Sequence, residues 1–168
     1  MGGDFYWMKN FSDGYLVIVG DCTGHGVPGA LMTTAVNAIF SNITDGTCHD
    51  NPKEILKEIE RQIMRSFMKG GSCETITDGL DAGVMFVSYD HKITFSGAKI
   101  SVFVHDHMGI YEIKGSRDTI DCLSRKHEKQ FKNHEIRYDE SLTLYIATDG
   151  FTDQPGGRKG NVIKLRSM

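Results

Sequence analysis

The sequence predicts an α+β domain: an antiparallel sheet system with a pair of helices packed on it. Three observations carry this. Short apolar runs of strand length recur along the chain, the turns between most of them are too short to hold a crossover helix, and only two segments space their apolar residues as helices do. The 168 residues fit a single domain, residues 1–168, long enough to bury a core without disulfide or metal staples.

The first two strands, Phe5–Met8 and Tyr15–Gly20, flank Ser12-Asp13-Gly14, a hairpin signal. A helix follows from about Pro28 to Ile43, with Leu31, Ala35, Ile39 and Ile43 on one stripe. A second starts at Asn51-Pro52, with Asn51 as cap and Pro52 in the first turn. Its stripe is Ile55, Leu56, Ile59, Ile63, Met64 and Phe67, and Gly70-Gly71 ends it. Further strands read at Ala82–Tyr89, Ile93–Ala98, Ser101–His105, Ile110–Lys114, Glu135–Tyr138 and Leu142–Thr148, punctuated by polar turn clusters such as Asp106-His107-Met108-Gly109. The polar stretch Ser116–Asn133, with Arg117, Arg125, Lys126, Lys129 and Lys132, reads as a surface excursion between strands. Its cations suit an acidic partner, although a solvated loop is the simpler reading. Met8, Met32, Met64, Met68 and Met85 read as core filler.

Composition excludes several classes. Nineteen Lys and Arg against 22 Asp and Glu leave a net charge of −3, without the basic footprint of a nucleic-acid binder. Cys22, Cys48, Cys73 and Cys122 are scattered, with no C-x-x-C, so free thiols in a reducing compartment are expected rather than zinc or disulfides. No apolar run approaches the ~20 residues of a membrane span, and the N-terminus has no signal-peptide pattern. A cytoplasmic domain without direct membrane contact is expected.

The carboxylates carry the chemistry. Asp4 and Asp21 are equidistant from the Ser12-Asp13 reversal, so an antiparallel hairpin sets them opposite each other, with Cβ atoms about 5 Å apart. No Arg or Lys adjoins either in the sequence. For one such pair, two carboxylates fraying into solvent would be the simpler account; a divalent cation is the other, and hard oxygen donors suit Mg²⁺ or Mn²⁺. The device occurs twice. Tyr15-Leu-Val-Ile-Val-Gly-Asp21 and Leu142-Thr-Leu-Tyr-Ile-Ala-Thr-Asp149 both run an apolar strand into an Asp beside glycine. Ending a buried strand in a carboxylate is costly unless something binds it, and a metal held by three Asp accounts for all of them. The Gly-rich loop Asp21-Cys22-Thr23-Gly24-His25-Gly26-Val27-Pro28-Gly29-Ala30 opens the first helix and suits phosphate; a plain tight turn is its structural alternative.

Gly2-Gly3-Asp4-Phe5-Tyr6-Trp7, the loop Gly20–Ala30, Asp78-Gly79-Leu80-Asp81 and Ala147-Thr148-Asp149-Gly150-Phe151-Thr152-Asp153 together resemble the SpoIIE-type branch of the metal-dependent (type-2C-like) protein phosphatases, in order and approximate spacing. The resemblance implies an antiparallel β-sandwich flanked by helices (αββα), a centre of two divalent cations, Mn²⁺ or Mg²⁺, and direct hydrolysis of phosphoserine or phosphothreonine on a protein. It implies Asp4 as ligand of one metal, Asp21 as bridging ligand, the Cys22 carbonyl completing the first shell, and Asp149 as ligand of the other. Asp81 matches an acidic position near the site, to which the resemblance assigns no direct ligand role, although it or Asp153 could stand in for the family's later metal-binding Asp. His25 is the candidate proton donor. The implied substrate is a STAS-type anti-sigma-factor antagonist, the implied control an upstream sensor or receiver domain, and a dimer is possible. Trp7 stands where many members are acidic. By the family pattern an opening strand before Gly2 and a closing segment with a further metal-binding Asp are missing, so a core fragment is expected, with weakened metal binding and activity.

Two other classes compete. A catalytically impaired phosphatase fold would bind a phosphoprotein or a sensor without turnover. A two-metal nuclease would share the carboxylates but needs a basic groove, which the net charge disfavours. His105 and His107 have zinc-like i, i+2 spacing, but they flank a turn with no third ligand near, and exposed turn residues are the simpler reading.

Overall fold

The computed structural model describes residues 3–22, 33–34, 36–41, 49–68, 79–121, 129–139 and 141–152. Strands β1 (Asp4–Phe11) and β2 (Gly14–Cys22) form the expected hairpin. Helix α1 (Pro52–Met68) follows, then β3 (Gly79–Ser88), β4 (Lys92–Ala98), β5 (Val102–Asp106), β6 (Gly109–Ile113), β7 (Ile120–Asp121), β8 (His134–Arg137), β9 (Thr143–Ile146) and the single turn α2 (Asp149–Thr152). Residues 36–41 are also helical. One sheet runs β1-β2-β3-β4-β8 with β7 paired to β3, and a second runs β6-β5-β9. All named strand pairings are antiparallel, as short turns require.

Alternation builds two cores from the larger sheet. Leu16, Ile18, Leu80, Ala82, Val84 and Phe86 point to one face, where Ile55, Leu56, Ile59 and Ile63 of α1 and Val36, Ile39 and Phe40 of the helical segment 36–41 cover them. Phe5 and Trp7 of β1 meet Phe40 at ring-centroid distances of 5.6 and 6.2 Å. On the opposite face Met85, Val87, Ile93 and Phe95 share a second core with Val102 and Val104 of β5 and with Leu144 and Ile146 of β9. The sheets therefore stack as a sandwich, and α1 with segment 36–41 lies on the outer face of the larger one. No described helix is long and apolar enough to cross a membrane.

Several expectations need correction. Ser116–Asn133 is not simply a surface excursion: Ile120 is fully buried, Phe131 is 4% exposed, and Lys129 is 7% exposed. The reason is a compact polar lock. Lys129 Nζ lies 2.8 Å from Glu60 of α1 and 3.2 Å from Asp121 of β7, so its charge is buried against two carboxylates. The Asn51 side chain does not cap α1 as expected. Asn133 Oδ1 accepts from Lys53 N (2.8 Å), while Asn133 Nδ2 donates to Asn51 Oδ1 (2.7 Å). Met8 is not core filler but 55% exposed, because it lies on the edge strand with its side chain turned from the helices. Met32, Cys48, Cys73 and Cys122 lie outside the described residues, whereas Cys22 is buried.

Lys129→Ala leaves Glu60 and Asp121 facing each other without their cation. A loss of about 3 kcal/mol is expected for breaking a buried charge cluster, against about 0.5 kcal/mol for Lys132→Ala on the exposed side of the same segment; urea unfolding of both variants measures the difference.

Candidate metal centre

The hairpin register places Asp4 opposite Asp21, as the sequence symmetry requires. The next pairing sets Asp21 opposite Asp81. On the far side of β3, Ala82 pairs with Ala98, so Lys99 falls in line with Asp81, and its Nζ lies 3.7 Å from Asp81 Oδ2. One row across four chain segments therefore reads Asp4, Asp21, Asp81, Lys99. Lys99 turns the chain there with a φ of 58°, in the left-handed region. Thr119 Oγ1 donates to Asp81 Oδ1 at 2.5 Å, which ties the segment before β7 to the same row.

The third strand-end carboxylate joins from the other sheet. A Cβ on Gly150 would lie 3.0 Å from Asp4 Oδ2, so the Asp149-Gly150 backbone passes against Asp4. The charge of Asp149 also acts on Asp21 and raises its pKa. The Cys22 carbonyl completes an oxygen-rich corner. A Cβ on Gly3 would sit 2.0 Å from Cys22 O and 2.8 Å from Asp21 Oδ1, so only glycine leaves room for both oxygens there. The Cys22 N–H donates to Gly3 O at 3.1 Å and fixes this close approach.

The electrostatic consequence is large. The Asp21 carboxyl is pushed up to about 6, by partial burial first, then by the charges of Asp4 and Asp149, by the favourable placement of Asp149 to accept from the protonated Asp21 and by the charge of Asp81. Asp81 has Lys99 and Thr119 as partners. Asp21 has like charges on both sides. Among the described residues, no three His, Cys, Asp or Glu side chains are spaced to enclose an ion as they stand. The donor set nevertheless fits a hard divalent cation: carboxylate and carbonyl oxygens, a glycine cradle, and repulsion that a cation would reverse.

The structure thus brings together Asp4, Asp21, the Cys22 carbonyl and Asp149. His25 and the loop residues 23–30, Asp78 and Asp153 lie outside the described residues. His105 is exposed on β5 and His107 sits in the adjoining turn. Sequence reasoning missed Lys99 and Thr119. The β3–β4 register would have revealed Lys99, since it continues past Ala82–Ala98; Thr119 depends on a long-range docking that no local pattern announces.

Comparison with known proteins gives the family and the fold. The family model for Stage II sporulation protein E (SpoIIE) matches residues 12–167, and the chain belongs to that family. Its fold is that of the PP2C-type phosphatase domains. The SiaA-PP2C domain of Pseudomonas aeruginosa aligns with a TM-score of 0.82 and 36% identity over 96% of this chain and 61% of that one. RsbX in complex with magnesium aligns at 0.65 and 16% identity, over 90% of this chain and 68% of that one. The structure of the PP2C phosphatase domain and a regulatory-domain fragment of SpoIIE from Bacillus subtilis aligns at 0.66 and 18% identity, over 91% and 43%. No curated protein matches the chain.

The Asp21 shift predicts a pH dependence in the presence of a chelator. A carboxyl raised from 3.8 to about 6 on folding holds its proton in the folded state through that interval. Its stabilising contribution is complete below 3.8 and is lost as pH rises through about 6. Thermal unfolding in chelator should therefore show Asp21→Asn, which stays neutral, gaining on the parent chain at pH 7.5 relative to pH 5.

Proposed function

We propose that the chain hydrolyses phosphoserine or phosphothreonine on a bacterial signalling protein, using two divalent cations, Mn²⁺ or Mg²⁺. The observation that carries the reading is the opposition of Asp4 and Asp21 in register, with the Asp149-Gly150 backbone passing against Asp4. Membership of the SpoIIE family supports it, as does the magnesium in the RsbX complex that shares the fold.

In this reading Asp4, Asp21 and the Cys22 carbonyl hold one cation, and Asp21 with Asp149 holds the other. When bound, the cations lower the pKa of a water for attack on phosphorus and offset charge on the transferring group. The chain's own contribution is placement. The β1–β2 ladder fixes the separation of Asp4 from Asp21, Gly3 lets the Cys22 carbonyl reach the same corner, and Lys99 with Thr119 holds Asp81 away from direct ligation. Asp81 is a positioning residue for the neighbouring Asp21. The proton donor to the leaving serine or threonine oxygen is assigned to His25, whose loop leaves β2 directly after Cys22.

The substrate is proposed to be a STAS-type anti-sigma-factor antagonist, in the cytoplasm, with an attached sensor or receiver domain setting activity. A regulatory-domain fragment accompanies the phosphatase domain in the SpoIIE structure from Bacillus subtilis. The competing reading is a phosphoprotein-binding module with impaired turnover.

Phosphate release from a phosphoprotein with Mn²⁺ separates the two readings, since only the enzyme turns over. Asp21→Asn should lower release by at least about 100-fold, more than loss of an outer-shell group costs, and circular dichroism should show the fold intact. Release at the parent rate would remove Asp21 from the centre.

A further inference from the structure

A depression of about 360 Å³ opens on the segment that leads to Thr119, lined by Lys114, Arg117, Asp118, Gln130, Lys132 and His134. Three lysine or arginine side chains and a histidine face one aspartate, in a chain whose net charge is −3. Among the described residues, none of these cations is ion-paired, in contrast to Lys129, Lys57 and Lys99 nearby in sequence or space. Charge concentrated against the overall sign, and left without internal partners, is available to an external anion.

The walls of the depression are fixed in place. Ser116 N donates to Gly97 O (2.7 Å) and Ser116 O accepts from Lys99 N (2.9 Å), which holds one wall on the end of β4. Lys132 is displayed between buried Phe131 and Asn133, whose amide caps α1. His134 begins β8 and pairs with Phe95 of β4. Cations on such anchored segments lose little freedom when they bind.

The depression adjoins the carboxylate row through Ser116, whose carbonyl accepts from Lys99 N, and through Thr119. Arg117 precedes Thr119 by two residues, a reach of at most about 7 Å, and Thr119 is bonded to Asp81. Lys99 stands at the positive end of the row Asp4, Asp21, Asp81, Lys99. The segment 114–119 thus links the depression to the row that contains Asp21.

We infer that the Lys114–Arg117–Lys132–His134 depression is a docking site for an acidic polypeptide segment, the part of a phosphoprotein substrate that flanks its phosphorylated residue. The placement beside the carboxylate row rests on the proposed phosphatase function, whereas binding of the acidic segment itself does not. Recognition is by charge, so affinity falls as ionic strength rises.

The test uses the full chain, a short fluorescent poly-glutamate peptide without phosphate, and chelator, so that binding is read apart from catalysis. Fluorescence anisotropy should show salt-sensitive binding, and the combined Lys114→Gln, Arg117→Gln and Lys132→Gln variant should bind about tenfold more weakly, as three exposed charge pairs together contribute. The combined Lys114→Arg, Arg117→Lys and Lys132→Arg variant keeps the charges and should bind as the parent does. If the parent does not bind the peptide at low salt, or if the neutralised variant binds equally well, the inference is overturned. Tighter binding of a single-stranded oligonucleotide or of phosphatidylserine vesicles than of the peptide overturns the assigned occupant. With Mn²⁺ added, the neutralised variant should keep its turnover of a small aryl phosphate while KM for an acidic phosphopeptide rises. Peptide binding without turnover of either substrate would sink the phosphatase reading and leave the docking site standing.

Discussion

Everything at the candidate centre depends on the register of the β1–β2 hairpin. A slip of one residue would move Asp4 off Asp21 and turn the apolar set of one strand away from the helices. The tight Ser12-Asp13 turn sets that register, at the end of the hairpin far from the carboxylates. The turn is held from three sides. Tyr89 N donates to Asp13 O at 3.0 Å, Ser88 Oγ donates to the same oxygen at 3.3 Å, and His49 Nε2 lies 3.0 and 3.1 Å from the two Asp13 carboxylate oxygens. The His49 ring stacks on Phe11 at 4.1 Å, the last residue of β1. A turn anchored at one end of a paired ladder thus fixes two like charges at the other.

That arrangement works against stability in the metal-free chain, and the cost falls on Asp21. Asp4 is exposed and Asp81 has a lysine and a threonine for partners, whereas Asp21 is half-buried between carboxylates. The sheet can carry this strain because β3 is buried on both faces along most of its length and β2 is buried on its helix-covered face and partly buried on the other. Local repulsion at a strand end is then a small fraction of a well-packed core. Such local conflict inside a globally consistent fold is where binding sites are found.

The hairpin, the strand alternation and helix α1 were legible because each rests on local pattern: equidistance about a turn, period two, and the Ile55–Ile59–Ile63 stripe. The opposition of Asp4 and Asp21 followed from the same arithmetic. What stayed hidden is held by contacts distant in sequence. Ile120 and Asp121 form a strand of two residues, too short for any periodicity, yet they pair with Leu80 and Gly79. Lys129 looks in the sequence like one more cation of a polar stretch; only α1 and β7, brought together by folding, make it a buried one. The cap of α1 comes from Asn133, 80 residues beyond the Lys53 N–H that it accepts from.

The same long-range contacts give the row of charges its direction. Strands lie about 4.8 Å apart, so the row from Asp4 to Lys99 spans roughly 14 Å and changes sign along its length. Its acidic end repels an anion, and at the other end Lys99 offsets the charge of Asp81. Under the proposed function, cations held by Asp4, Asp21 and Asp149 would offset that repulsion and admit a phosphoryl group at the acidic end. The segment 114–119 that lines the depression is the element that joins these two ends, since Thr119 holds Asp81 and Ser116 is bonded to the backbone beside Lys99.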